Sequence, residues 1–394
     1  MQTTQSILVV GSGAFGVAAA LELARRGQRV TLMDPGPIPH PKAASTDISK
    51  VIRMDYGSDQ LYTSMMEDAL LTWDQWNHEW GEPPYHEDGF LLLTQNKMQP
   101  GGLEHDSFEA LEKRGYGPLR LTADILKSKY PAWNPAKYAD GYFNSRGGWA
   151  ESGRVVQHLA KDAVAAGVDV RENLSVVQLC DESGRVSGVI ASDGRRYSAD
   201  VVVLAMGAWS PLLSRSLAGV IVYVAQPVFH FRPRNPDLFR GSHFPVWSAD
   251  MSKTGWYGFP ANKDGIVKVA NHGPGRDAHP DDDRTTTPEE EVKFRDFLKQ
   301  SLPSLYDAPI AASKTCFYAD SWDGDFYIDH DPELTGLVYA TGGSGHAFKF
   351  IPVLGKIVAD VVEHKQNPYS SRFAWRPRGS EIPSDQARWR GDSH

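Results

Sequence analysis

The chain has 394 residues, 41% hydrophobic and 23% charged, with a formal net charge of −8. That length exceeds one core and points to two domains, and the acidic balance argues against nucleic acid as a general partner. Two cysteines, Cys180 and Cys316, leave no disulfide framework and fit a reducing compartment. No run is long enough to span a bilayer, so no membrane association is expected. The first strand pattern begins at Ile7, leaving no room for a secretory signal, and Asp392-Ser393-His394 is not an SKL-type address. A cytoplasmic protein is expected.

Ile7–Val10 reads as a buried parallel strand, followed by Gly11, Gly13 and Gly16 in the GxGxxG spacing. Val17, Ala20, Leu21 and Ala24 then mark a helix, and Arg29–Met33 a second strand ending on Asp34. The glycines allow a tight turn, backbone approach to a pyrophosphate and close packing of helix on strand. The pyrophosphate would sit on free N–H groups at the helix N-terminus, and Asp34, about 20 residues on, would accept from a ribose hydroxyl. The motif does not choose between NAD and FAD.

Residues Ala43–Tyr56 follow as a loop of small and hydroxylated residues with Lys50 and Arg53, able to reach phosphates or ring, or to lie on the surface. Gln60–Trp80 has helical spacing, and its Tyr62, Trp73, Trp76 and Trp80 read as packing. Pro83–Asn144 loses the α/β alternation: Gly89–Thr94 is a strand, Asp106–Arg114 and Leu121–Tyr130 helices. Gly153–Gly167 resumes it with an apolar helix face, followed by four short strands between Val168 and Tyr197. Ala199–Ala205 is a buried strand running into the small-residue turn Met206–Pro211, a second backbone segment beside the nucleotide.

From Val220 to Ala312 the pattern is antiparallel, with short strands and Pro/Gly turns. Pro288–Leu302 is a helix with Thr287 as N-cap and three glutamates in its first turn. Thr315–Tyr318 is a strand, and Gly336–Thr341 a buried one feeding Gly342–His346 and the helix Val353–Glu363. Asp320–Asp325 reads as a solvated acidic turn, or one that could meet a basic substrate tail. Asp329-His330-Asp331 is a strand-to-turn junction, and no metal site is expected. Residues after Pro368 hold five arginines and two tryptophans without periodicity and form an irregular tail.

The expected fold class is therefore α/β with α+β, a Rossmann-like nucleotide domain interleaved with an antiparallel-sheet substrate domain. The first takes 1–85, 146–218 and 317–370, the second 86–145 and 219–316, and the tail 371–394. A chain shuttling twice between such domains suits a flavin enzyme better than a two-part NAD dehydrogenase. Gly11–Gly16, Arg53, Tyr257-Gly258-Phe259-Pro260, Lys268, Lys314-Thr315-Cys316 and Ser344-Gly345-His346-Ala347-Phe348-Lys349-Phe350 together resemble the sarcosine oxidase family. These are D-amino-acid-oxidase-like FAD amine oxidases, among them pipecolate, N-methyltryptophan and fructosyl amino acid oxidases.

The resemblance implies FAD, held covalently by a thioether to Cys316, with basic neighbours such as Lys314 favouring the thiolate. It implies that Lys268 stabilises superoxide as oxygen is reduced, and that Arg53 and Lys349 clamp a substrate carboxylate. Tyr257 and Tyr318 would flank the substrate beside His272. In isolation Lys268 would be a strand's solvent-facing residue, and Arg53 or Lys349 a surface charge. The cofactor contacts implied are Gly11, Ser12, Gly13, Ala14, Phe15, Gly16 and Asp34 in the first motif, and Ser45, Thr46, Ser49 and Lys50 in the loop. Val176, Gly207, Trp209, Cys316, Gly343, Gly345, His346, Phe348 and Lys349 complete them.

His272 matches sarcosine-type members, whereas fructosyl amino acid oxidases tend to carry glutamate there. Lys50 instead resembles the fructosyl branch, so the two markers disagree on substrate. The expected activity is oxidation of a secondary or N-substituted amino acid. Hydride passes from the C–H bond to flavin N5, the imine is hydrolysed, and oxygen is reduced to hydrogen peroxide. Alternatives are ring closure onto the imine, a deglycating fructosyl amino acid oxidase, or a non-enzymatic FAD-binding member. A monooxygenase is disfavoured because no second GxGxxG is present. The partners are a small amine and oxygen, and a monomer is expected.

Overall fold

The structure is a computed structural model and describes residues 4–379. The tail positions 380–394 lie outside the described residues, and with them most of the expected irregular segment.

One lobe is built on a six-stranded sheet. Its order is Tyr327–His330, Leu337–Thr341, Val201–Leu204, Ser6–Val10, Arg29–Met33 and Asp169–Arg171. All neighbours are parallel except Tyr327–His330, which runs antiparallel to Leu337–Thr341. The central strands are buried on both faces, as their unbroken Val/Leu/Ile runs require. Helix Ala14–Arg25 lies against helices Ile351–Val362 and Ser152–Ala165. Val17, Ala20 and Leu21 of the periodic set seen in the sequence are buried and Ala24 is partly so, while Ala18, Ala19 and Leu23 are buried as well, so the helix is covered well beyond one face. A three-stranded sheet, Val176–Glu182, Arg185–Ala191 and Arg196–Ser198, adds Val186 and Val189 to a core shared with Val202 and Leu204.

The other lobe centres on a nine-stranded sheet. Ile221–Phe231 pairs antiparallel with Ile310–Ser321 over almost its whole length and with Val267–Asn271 on its other side. Trp256–Gly258, Val246–Ala249, Phe90–Thr94, Asp140–Asn144 and Leu119–Arg120 continue the sheet outward. The antiparallel expectation has one exception, since Val246–Ala249 and Phe90–Thr94 pair in parallel. Those two strands come from distant parts of the chain, so no hairpin joins them. The strand expected over Thr315–Tyr318 extends from Ile310 to Ser321. The 43–56 segment, expected as loop, contains the short strand Lys50–Ile52, which pairs with Gly148–Ala150.

Helix Pro288–Ser301 covers the nine-stranded sheet, driving Phe294, Phe297 and Leu298 against Phe229, Trp247 and Trp256. It starts where the sequence placed it. Thr287 Oγ1 accepts from Glu290 N at 3.2 Å, and Glu290 Oε2 accepts from Thr287 N at 2.9 Å, a reciprocal capping box. Thr287→Ala should therefore cost about 1 kcal/mol of stability in chemical denaturation, with Thr287→Ser retaining most of it.

Candidate active site

The parallel strands deliver their carboxyl ends to one edge of the sheet, where ligands of open α/β sheets gather. Gly11 follows Val10, Asp34 follows Met33, Met206–Trp209 follow Leu204, and Gly342–Gly345 follow Thr341. A cavity of about 520 Å³ opens there. It is lined by the first glycine turn, Asp34, Ala43–Ser45 and Lys50 on one side. Val176, Gly207, Trp209, Gly343, Gly345 and Phe348 line the other, with Phe317 and Tyr318 at the second lobe.

Backbone crowding explains two of the motif's glycines. Gly11 adopts φ +96°, and a Cβ there would stand 2.6 Å from the Ala205 carbonyl. A Cβ on Gly16 would stand 1.8 Å from the Gly11 carbonyl. The helix that begins at Ala14 has Gly13 as N-cap with no side-chain cap, leaving its first N–H groups for a ligand. Asp34 is buried and already engaged: Oδ2 accepts from Ser12 N and Ser12 Oγ at 2.8 and 2.7 Å, and Oδ1 from Gly36 N at 3.0 Å. Its remaining lone pairs suit a ribose hydroxyl. The hydroxyls of Ser45, Thr46 and Ser49 are buried without a hydrogen-bond partner, which fits a ligand with many polar atoms along this loop. The glycine cradle, the uncapped helix and these orphaned hydroxyls fit a dinucleotide such as FAD.

A second, smaller cavity of about 40 Å³ adjoins it and shares Lys50, Tyr318, Gly345 and Phe348 with the first. Arg53, Met251, Tyr257, His272, His346 and Lys349 also line it. The structure thus brings all six predicted catalytic side chains to one region, except that Lys268 stands behind the wall rather than in it. Tyr257 and Tyr318 face each other with hydroxyls 3.4 Å apart. Burial holds the Tyr257 phenol above its ordinary value, against the pull of the Lys50 charge.

Three residues expected in isolation as surface groups are interior: Arg53 is 3% exposed, Lys268 1% and Lys349 2%. Each is buried because the fold supplies polar partners. Lys349 Nζ donates to Tyr56 Oη at 2.9 Å and to the His346 carbonyl at 2.7 Å, while its own carbonyl accepts from Trp73 Nε1 at 2.9 Å. Arg53 donates to the Asp55 carbonyl and lies over the Tyr56 ring at 4.8 Å. Lys268 Nζ donates to the Ser49 carbonyl at 2.6 Å and forms a 2.7 Å ion pair with Asp47.

Asp47 was not singled out in the sequence. Its carboxylate is 1% exposed and also lies 3.4 Å from His230 Nε2 and 3.6 Å from Lys314 Nζ. Burial pushes its carboxyl up, but Lys268, His230, Lys50 and Lys314 together hold it well below the usual range. Burial pulls the Lys268 ammonium down to about 8, with Asp47 opposing the fall. Burial also works against the charge on Lys50, yet Cys316, Asp47 and Tyr257 hold it above its ordinary value. Lys314, two residues before Cys316 on the same strand, donates to the Thr46 carbonyl at 2.9 Å. Cys316 itself is buried beside Tyr318, Ala270 and Val228, while Cys180 lies away from the site in the small sheet.

The acidic turn is not simply solvated: Arg376 pairs with Asp323 and Arg372 with Asp325, so arginines of the described part of the tail neutralise it. Gly16→Ala should abolish dinucleotide binding through the 1.8 Å clash, giving purified protein without bound nucleotide in an absorbance scan.

Comparison with known proteins agrees with this geometry. A family model described as FAD dependent oxidoreductase matches residues 6–361. The amino acid oxidase imqH of Aspergillus flavus is 27% identical, with 100% of this chain and 99% of that protein covered. Human peroxisomal sarcosine oxidase is 27% identical over 90% of this chain and 91% of its own. The crystal structure of a fructosyl amine:oxygen oxidoreductase, Amadoriase I of Aspergillus fumigatus, superposes with a TM-score of 0.81 at 27% identity, covering 100% of this chain and 95% of that one.

Proposed function

The chain belongs to the family of FAD-dependent oxidoreductases, and from that premise we propose that it is an oxidase of secondary or N-substituted amino acids. The six-stranded sheet is read as a Rossmann-like FAD lobe and the nine-stranded sheet as the substrate lobe. The observation that carries the reading is the junction of the two cavities: one of about 520 Å³, lined by the glycine turn and Asp34, meets a small one lined by Arg53, Lys349, Tyr257, Tyr318 and His272. Relatives named as sarcosine, amino acid and fructosyl amine oxidases support the amine class.

FAD, when bound, supplies the two-electron chemistry. The chain's own residues do the rest. Arg53 and Lys349 hold the substrate carboxylate, and Tyr257 and Tyr318 wall the amine end in a water-poor cleft. The amine must arrive without its extra proton to offer an electron pair, so turnover rises with pH through the amine's ionisation. The imine product hydrolyses in water. Lys268 provides a fixed positive charge for oxygen as it becomes hydrogen peroxide, and Asp47 keeps that ammonium oriented. Cys316 is the proposed covalent anchor. A deglycating activity is the second reading, favoured by Lys50 and opposed by His272.

A peroxide-coupled screen of sarcosine, N-methyl aromatic amino acids, pipecolate, saccharopine and fructosyl amino acids tests the substrate class, and absence of peroxide with every amine would overturn it. Lys268→Met should leave anaerobic flavin reduction intact and slow reoxidation by about 100-fold or more. In the wild type the lysine is charged below about pH 8 and neutral above it, so reoxidation measured by stopped flow should decline as pH rises through that value. Acid precipitation should carry flavin down with the wild-type polypeptide and leave it in the supernatant for Cys316→Ala.

A further inference from the structure

Asp55 follows Arg53 by two residues and is 1% exposed. Its Oδ1 accepts a 2.6 Å hydrogen bond from Tyr142 Oη on strand Asp140–Asn144, and its Oδ2 is buried with no hydrogen-bond partner. The Arg53 guanidinium bonds the Asp55 backbone carbonyl rather than this carboxylate, and Arg53 Nε is buried without a partner as well. An arginine and a carboxylate thus lie side by side in the interior, each with an unused polar atom. No step of the oxidation employs Asp55.

We propose that Asp55 is a positioning residue that takes up one proton when a substrate carboxylate binds at Arg53. This rests on the reading of Arg53 as a carboxylate-binding group.

The groups that face Asp55 are few. Arg53 approaches from its own segment and Tyr142 from the sheet. Ser107 of helix Leu103–Lys113 accepts from Gly57 N at 2.7 Å, and its hydroxyl favours the ionised form of the Tyr142 phenol. Burial holds the Asp55 carboxyl above its ordinary value, although Arg53 and the Tyr142 hydrogen bond pull the other way. A substrate carboxylate sets a second negative charge against the same guanidinium in a desolvated space. Two like charges so placed do not both remain ionised, and the more weakly ionised one takes the proton. The step is a protonation alone: solvent gives up H⁺, an O–H bond forms on Asp55, and nothing is oxidised. The Tyr142 hydroxyl can donate to the ionised carboxylate or accept from the protonated one, so this hydrogen bond survives the change. Neutral Asp55 then leaves the whole Arg53 charge to the ligand.

Propionate, a carboxylate without an amine, tests this by calorimetry on the FAD-loaded protein in buffers of differing ionisation enthalpy across a pH series. Uptake should rise from none at acidic pH, where Asp55 already carries its proton, toward one proton per propionate at higher pH. Affinity should weaken about tenfold per pH unit over the same interval. Asp55→Asn should abolish both effects. Tyr142→Phe removes a hydrogen bond that favours the ionised carboxylate, so it should move the onset to higher pH. Propionate binding without uptake at any pH, uptake undiminished in Asp55→Asn, or an unmoved onset in Tyr142→Phe overturns the role of Asp55 while leaving Arg53 as the carboxylate group. Failure of propionate to bind, or binding unchanged in Arg53→Gln, overturns both. Should Asp55→Asn not fold, the wild-type uptake and the Tyr142→Phe shift decide.

Discussion

The ion pair between Lys268 and Asp47 is the constraint on which the site depends. A lysine 1% exposed has no water to solvate its charge, and a carboxylate equally buried has none either. Each is tolerable only because the other is there, with the Ser49 carbonyl, His230 and Lys314 completing the cluster. Such a pair is poor evidence for stability, since a well-packed apolar pair often does as well. Its place in the interior accords with the role proposed for Lys268, a fixed buried cation beside a redox cofactor. The pair also joins the two lobes. Asp47 belongs to the segment leading away from the parallel sheet, and Lys268 to the strand Val267–Asn271 of the large sheet. The loop bearing Ser45, Thr46 and Ser49 is thereby pinned over the cavity it lines.

The same economy governs the proposed carboxylate clamp. Arg53 and Lys349 come from segments almost three hundred positions apart, yet both lie against Tyr56: the guanidinium over its ring at 4.8 Å, the ammonium bonded to its hydroxyl at 2.9 Å. Tyr56 is held in turn by His346 Nδ1 at 3.0 Å and by stacking on Tyr62, with ring centres 4.9 Å apart. Two like charges converge on one aromatic group because its electron-rich face and its hydroxyl oxygen each accept one of them. A bound carboxylate would complete the neutralisation that Tyr56 begins.

What the sequence disclosed follows from how local each signal is. The glycine turn, its helix and Asp34 fall in one βαβ unit with a fixed spacing, although Gly11 also answers to the distant Ala205 carbonyl, and the Thr287 cap lies wholly within four residues, so spacing alone identified them. The family-like segment 344–350 identified Lys349. Asp47 and Asp55 were not visible as functional groups, because an acidic residue in a polar loop looks the same whether solvent or a lysine from position 268 will face it. The burial of Lys268 was hidden for the same reason: alternation along a strand tells which face a residue shares, not that the second face is also covered. The acidic turn 320–325 read as solvated because its partners, Arg372 and Arg376, lie in a segment with no periodicity. Each miss rests on a contact made by distant parts of the chain, a pairing of charges for Asp47 and the acidic turn and the Tyr142 hydroxyl for Asp55, which neither composition nor period records.

That tail pairing reaches the active site through continuous contacts. Arg376 fastens Asp323, and Arg372 fastens Asp325 and Asp59. Asp325 accepts from Tyr62 Oη at 2.8 Å, and Gly324, between the two aspartates, offers its carbonyl to His346 Nε2 at 3.0 Å. With Nε2 at that carbonyl and Nδ1 at the Tyr56 hydroxyl, both ring nitrogens are committed, which fixes the imidazole plane and the backbone that follows it. The carbonyl of the same histidine holds Lys349 Nζ. The direction of the clamp's ammonium is therefore set by an acidic turn whose own charges are neutralised from the chain's far end. Without those arginines, Asp323 and Asp325 would repel each other across Gly324, loosening the carbonyl that orients His346. The described part of the tail is thus linked to Lys349 through Gly324 and His346.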